Sequence, residues 1–212
     1  MACPTSRHRR VCIFSVASSS LGTAFETSGM LISRLYRSRC SAVDSSTHGE
    51  VNRSSMAPSI LFVCTGNVFR SMAAEYALRA QLGQTSGYHV NSAGIEAKSQ
   101  KIHPVILNRL RLKGTDASAH VPQILTKELI QRSDLVIAMG LGHREFIQAK
   151  FGVNAPLFNE IAFGEDSPIL DLHEALPNWE RDIVEAREYV ESVIDHIWDS
   201  TPALMARLSQ FP

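Results

Sequence analysis

The sequence predicts an α/β domain: a small parallel sheet of about four strands, doubly wound, with helices on both faces. Three observations predict it. From Ser59 onward, short apolar runs of strand length alternate with longer stretches at helical spacing. The short runs, such as "SILFVC" and "DLVIAM", are continuously apolar, as in strands covered on both faces. Glycines follow several of the helical stretches, where helices stop.

The elements follow in order. "SILFVC" (59–64) is the first strand and "RSMAAEYALRAQL" (70–82), rich in strong helix formers, the first helix. "YHVNSAG" (88–94) reads as a second strand running into a glycine turn. "HPVILNRLRLKG" (103–114) is an amphipathic helix with a glycine stop. "LTKELIQRS" (125–133) opens on Thr126 as a cap, with Leu129 where a capping box would carry Glu. "DLVIAM" (134–139) is the third strand, "GHREFIQAKFG" (142–152) a short helix, and "APLFNEIA" (155–162) a fourth strand. In the last stretch, 178–200, Ile183, Val184, Tyr189, Val190, Val193, Ile194, Ile197 and Trp198 recur at helical spacing. Right-handed crossovers wind such a chain into its sheet, and ligands bind outside the carboxyl ends of the strands. Cys64 stands at the carboxyl end of the first.

Composition narrows the function classes. The 212 residues suffice for one domain with a tail, at 44% apolar and 20% charged. A formal net charge of zero gives no footprint for nucleic acid, and no apolar stretch is long enough to span a bilayer. Residues 1–57 differ from the rest. They hold thirteen serines, seven arginines, no lysine and three acidic residues, hence +4 against −4 for the remainder. They are expected to be a disordered extension or a targeting tail, with 58–212 as the folded domain. A cytoplasmic location is expected, with tail-directed import or export as the alternative. Of the four cysteines, Cys3, Cys12 and Cys40 lie in that tail and none follows Cys64. This is no disulfide framework, and no Cys/His spacing suggests zinc or another metal. Cys64 is either a small buried apolar residue or a nucleophile.

The surrounding residues decide between those readings. In "CTGNVFRS" (64–71), Gly66 and Asn67 tolerate the backbone angles of a tightly curled loop. Such a loop turns the amides of Thr65, Gly66, Asn67, Val68 and Phe69 inward, and the helix behind adds its unpaired N–H groups and positive end. The result is a cradle for phosphate. Arg70 offers a planar fork for two phosphate oxygens. The same field favours the thiolate of Cys64, and the Ser71 hydroxyl can hydrogen-bond it as a leaving group. An arginine at a helix amino end opposes the dipole, and a bound anion supplies the compensation.

"VCTGNVFRSMAAEYAL" resembles the active-site loop of the low-molecular-weight protein tyrosine phosphatases, C-x-G-N-x-C-R-S-P. "VNSAGIEA" resembles that family's S-A-G turn, and "SAHVPQILTKELIQRSDLVIAMGLGHREFI" its histidine-bearing segment. The likeness covers roughly residues 59 to 200. It implies hydrolysis of phosphotyrosine or an aryl phosphate through a cysteinyl-phosphate on Cys64, without a cofactor or metal, with a phosphorylated protein or small ester as partner. It also implies a supporting hydrogen-bond network of Asn67, Ser71, Ser92 and His120.

The sequence departs from the family pattern at several points. Phe69 replaces the second loop cysteine, removing any disulfide between loop cysteines. Met72 replaces proline, and "HVPQ" replaces H-x-A-R. The family's general acid is an Asp usually followed by Pro, and no Asp-Pro exists here. Asp171 is the first candidate, Asp166 and Asp182 are others, and "LPNW" puts Asn178 in the expected slot. Trp179 either lines a substrate slot or anchors the last helix. Two alternatives follow: a phosphate-binding regulator with little turnover, and an arsenate reductase, which would need further cysteines.

Overall fold

The computed structural model describes residues 58–83 and 87–208. The expectations for the 1–57 tail lie outside the described residues. Three strands form one parallel sheet: β1 Ser59–Cys64, β2 His89–Gly94 and β3 Leu135–Ala138, in the order β2-β1-β3. The helices are α1 Arg70–Leu82, α2 Pro104–Leu112, α3 Lys127–Arg132, α4 Leu141–Phe151, α5 Phe158–Phe163, α6 Leu172–Ala175 and α7 Ile183–Leu208, with a 3-10 turn at Trp179–Arg181.

The period of two along β1 sorts its side chains into two cores. Ile60, Phe62 and Cys64 face one side, where they pack with α1, α2, α5 and α7 through residues such as Leu78, Leu110, Phe158 and Ile197. Leu61 and Val63 face the other, with Ile130 of α3 and Ile147 of α4. Both faces of the sheet are covered, which is why the strands read as unbroken apolar runs.

The expected fourth strand is a correction. Leu157 makes a single parallel bridge to Ala138, and the chain then turns into α5. The apolar run 155–162 was too short to tell a strand from a buried helix by periodicity. Its Phe158, Ile161 and Ala162 are buried at helical spacing. Thr126 caps α3 as expected, its side chain accepting from Leu129 N. Among the described residues, no helix is long and apolar enough to cross a membrane.

The topology fixes where a ligand would sit. β1 lies between β2 and β3, so the chain leaves it toward one neighbour and later returns to the opposite side. The carboxyl end of β1 is therefore a topological switch point. Loop 65–69 and the segment after β3 meet there.

Candidate active site

Cys64 ends β1 with its side chain buried. Its sulfur is not in a purely aliphatic setting: Asn67 N donates to Sγ at 3.3 Å, and the Ser71 hydroxyl lies 3.0 Å from it. Between these residues the loop curls as its composition predicts, but the left-handed residue is Asn67, with φ 56°, rather than Gly66. Asparagine tolerates that conformation because its short amide finds local partners. Asn67 is fully buried, and its amide reaches four groups. Nδ2 donates to Ser92 Oγ at 2.7 Å and Ser71 Oγ at 3.1 Å. Oδ1 accepts from Gln123 N at 2.9 Å, and His120 Nε2 lies 3.3 Å from it and 3.0 Å from the Asn67 carbonyl oxygen. Among the described residues, the amides of Gly66, Val68 and Phe69 meet no backbone carbonyl. Val68 and Phe69 turn their side chains into the core on the α1 face.

Gly94 makes this loop possible. It pairs with Cys64 across the sheet, and a Cβ there would fall 2.5 Å from Thr65 O and 2.9 Å from Asn67 N. Neither is a distance that atoms tolerate. The expected glycine turn is thus a close approach: Gly94 is the last residue of β2, with no positive φ, and the loop backbone lies directly against it.

Arg70 opens α1 and is 1% exposed. Nη2 pairs with Asp171 Oδ2, and Nη1 donates to Ile169 O at 2.8 Å and to Glu174 Oε2 at 3.4 Å. Nε is buried and, among the described residues, has no partner. The segment carrying Asp171 is tied down twice more: Ile169 N donates to Met139 O at 2.9 Å, and the Tyr189 hydroxyl to Leu170 O at 2.9 Å. Asp171 also caps α6, accepting from Leu172 N at 2.7 Å.

The other acid candidates stand elsewhere. Asp166 pairs with Arg144 at 2.7 Å, and Asp182 accepts from Glu185 N at 2.9 Å at the start of α7. Asn178 is exposed at the start of the 3-10 turn, where its carbonyl accepts from Arg181 N. The "LPNW" stretch that resembles the family's acid loop runs from the end of α6 into that turn.

Four residues at the site were not singled out from sequence. Glu75, buried on α1, accepts from Ser92 Oγ and pairs with Arg79 at 2.8 Å; burial raises its pKa, against the pull of Ser92, Arg79 and His120. Its position four residues after Ser71 was the available signal, since both then share one helix face. His143 Nε2 lies 2.9 Å from Thr65 Oγ1. Burial, and then the Arg70 charge, push the His143 pKa down to about 4, so this imidazole is neutral at physiological pH. Its place just beyond β3, at the carboxyl end of the sheet, was legible. Gln123 bridges Asn67 and, through Nε2 at 2.7 Å, Ser92 O. Glu174, half exposed, supplies the second carboxylate to Arg70.

The chemistry available here is that of a phosphoryl site. A sulfur held by two hydrogen-bonding groups stands in a loop whose Gly66, Val68 and Phe69 amides meet no backbone carbonyl, and the helix that follows opens on a buried guanidinium that carries a carboxylate. Comparison with known proteins agrees. Over 96 residues the chain is 42% identical to a protein-arginine-phosphatase of Bacillus subtilis (strain 168), a match covering 44% of this chain and 63% of that protein. Over 80 residues it is 34% identical to an arsenate reductase of Staphylococcus aureus (strain N315), covering 38% of this chain and 58% of that protein. The chain thus spans less than two thirds of the length of these relatives. Among solved structures it resembles a YwlE arginine phosphatase in which serine replaces a cysteine and the active-site serine is phosphorylated. There the TM-score is 0.60 at 27% identity, over 71% of this chain and 95% of that one. The family model for low molecular weight phosphotyrosine protein phosphatase matches residues 59–210. The chain belongs to the low molecular weight phosphotyrosine protein phosphatase family.

Proposed function

We propose that this protein hydrolyses phosphomonoesters of proteins or small aryl phosphates through a covalent phosphoryl-cysteine. The observation that carries the reading is the pair of hydrogen-bonding groups on Cys64 Sγ, Asn67 N at 3.3 Å and the Ser71 hydroxyl at 3.0 Å. Both sit on the sulfur that would attack phosphorus.

The steps follow from the placement of the groups. The thiolate adds to phosphorus as the P–O bond to the leaving group breaks. The loop amides and Arg70, with its unpartnered Nε, hold the charge on the phosphoryl oxygens. Asp171, in the protonated form, gives its proton to the departing oxygen. The Asp171 carboxylate then takes a proton from water as that water attacks phosphorus. The S–P bond breaks, inorganic phosphate leaves and the thiolate returns, with Ser71 stabilising it. The related YwlE variant with a phosphorylated active-site serine supports a covalent step.

Phosphotyrosine is the substrate that the family resemblance implies; the relatives add phosphoarginine. The reading of a phosphate binder without turnover drew on Asn178 in the place of the acid; Asp171, beside Arg70, supplies a carboxylate for that role. Arsenate reduction draws on the staphylococcal relative. A cysteine relay from Cys64 would have to use Cys3, Cys12 or Cys40, all upstream of the described residues.

The test is hydrolysis of an aryl phosphate by wild type and Cys64→Ser. The reading predicts loss of turnover by several orders of magnitude in the serine variant. Turnover at the wild-type rate would overturn it.

A further inference from the structure

We propose that Glu75 is a positioning residue: it sets the direction of the hydrogen-bond chain that ends on Cys64, and Arg79 holds its carboxylate in the orientation this requires. The proposal rests on Cys64 being the nucleophile, and it adds to that reading a residue four hydrogen bonds away from the sulfur.

Each hydroxyl in the chain has one hydrogen to give. The hydrogen of Ser92 goes to Glu75 Oε2, since an ionised carboxylate only accepts. Ser92 therefore meets Asn67 as an acceptor and takes one Nδ2 hydrogen at 2.7 Å. The other Nδ2 hydrogen goes to Ser71 Oγ at 3.1 Å. Ser71 is then an acceptor toward Asn67, and its own hydrogen is left for Cys64 Sγ at 3.0 Å, with Ala93 O the more distant alternative at 3.4 Å. The Gln123 amide on Asn67 Oδ1 pins the same orientation from the opposite side. The chain diverges from the Asn67 amide: one arm runs through Ser92 to Glu75, and the other runs through Ser71 and delivers a donor to the sulfur.

Glu75 is the acceptor that begins this chain, and both its oxygens are committed. Oε2 takes Ser92, and Oε1 takes Arg79 Nη1 at 2.8 Å. Arg79 is itself fixed by Nε donating to Val90 O at 2.9 Å. A glutamine at 75 has one accepting and one donating end. With its oxygen on Ser92, its NH2 group faces the Arg79 guanidinium. With its oxygen on Arg79, its NH2 group presses a second donor on Ser92, which already accepts from Asn67. The Ser92 hydrogen is then idle. Burying an ionised carboxylate is costly, and burial does raise the Glu75 pKa.

The experiment uses the full chain with four variants: Glu75→Gln, Ser92→Ala, Glu75→Gln with Ser92→Ala, and Glu75→Gln with Arg79→Met. The readouts are the rate of Cys64 alkylation by iodoacetate at one near-neutral pH, and kcat and KM for an aryl phosphate. Glu75→Gln and Ser92→Ala should each slow alkylation roughly three- to tenfold, the worth of one hydrogen bond. kcat should fall in parallel while KM stays within about twofold. Combining the two should add little, since both cut the same chain. Arg79→Met should restore much of the rate to Glu75→Gln, because the glutamine is then free to turn its oxygen to Ser92; a merely structural role predicts a further loss instead. Wild-type alkylation in folded Glu75→Gln, or no recovery on adding Arg79→Met, overturns the proposal. Should Glu75→Gln not fold, Ser92→Ala decides, and alkylation there at the wild-type rate overturns it equally. Alkylation needs no turnover. An inactive wild type, or an active Cys64→Ser, would therefore contradict the phosphatase reading without touching this result.

Discussion

Asp171 carries three duties on one carboxylate. Oδ2 pairs with Arg70, Oδ1 takes the Leu172 amide, and in the proposed cycle the group also donates a proton. Asparagine keeps the size and one accepting oxygen, enough for Arg70 or for the cap, and has no proton to transfer; α6 buries none of its residues, so a weaker cap costs the fold little. Asp171→Asn should therefore fold normally and lower kcat by roughly 10²–10⁴ for a poor leaving group such as phenol. For nitrophenol, which departs readily as an anion, the loss should be much smaller. Steady-state kinetics with the two esters checks this, and equal losses for both would remove Asp171 from the acid role. At this scale the sequence was informative about Cys64, Arg70, Asn67 and Ser71, because four chemically particular residues stand in one short loop. It was poor on Glu75 and His143, which stand on stretches that read simply as helices. It named Asp171 first for the acid and left Asn178 open beside it, because distance along a loop does not report which side chain turns toward Arg70.

Elements act on the site through close approach. β2 contributes Gly94, whose missing Cβ lets the loop backbone lie against the strand. Gly94→Ala places a methyl carbon where Thr65 O and Asn67 N stand, so the loop must move, by something near an ångström. A shift of that size in a catalytic loop costs on the order of a hundredfold in rate. We expect kcat/KM for aryl phosphate to fall by about that factor, with a near-native circular dichroism spectrum; unchanged kinetics would show that the loop has slack. The helices α1 and α7 show what sequence withholds. Pro202 inside α7 looks like a helix end, since it cannot donate to Trp198 O. The helix continues because Gln81 Nε2, from α1, donates to that carbonyl at 3.0 Å. Such a rescue depends on tertiary contact and leaves no local mark. The fourth strand failed for a related reason: a short apolar run satisfies either geometry, and packing against α7 made it α5.

For the whole molecule, the α/β alternation from residue 59 fixed the doubly wound architecture, and the switch point at β1 then followed from topology rather than from any single motif. The same burial that builds the site makes the fold sensitive to acid. His143 has its pKa lowered from 6.5 to about 4, so between those values the unfolded chain binds a proton that the folded chain refuses. Its stability contribution is present above pH 6.5 and is lost as pH falls toward 4, by up to about 3 kcal/mol. His196, lowered by burial, acts in the same direction; Glu75, raised by burial, acts in the opposite one. Denaturant melts at pH 7 and pH 4 should show wild type losing more stability than His143→Gln, and parallel losses would contradict this. The account as a whole depends on a phosphoryl group passing through one sulfur. Acid quench during turnover of an aryl phosphate, followed by peptide mass spectrometry, tests that most directly. We predict a phosphoryl adduct on the Cys64 peptide of wild type, enriched in Asp171→Asn when a good leaving group loads the enzyme. Turnover with phosphate release and no adduct at Cys64 at any time point would contradict it.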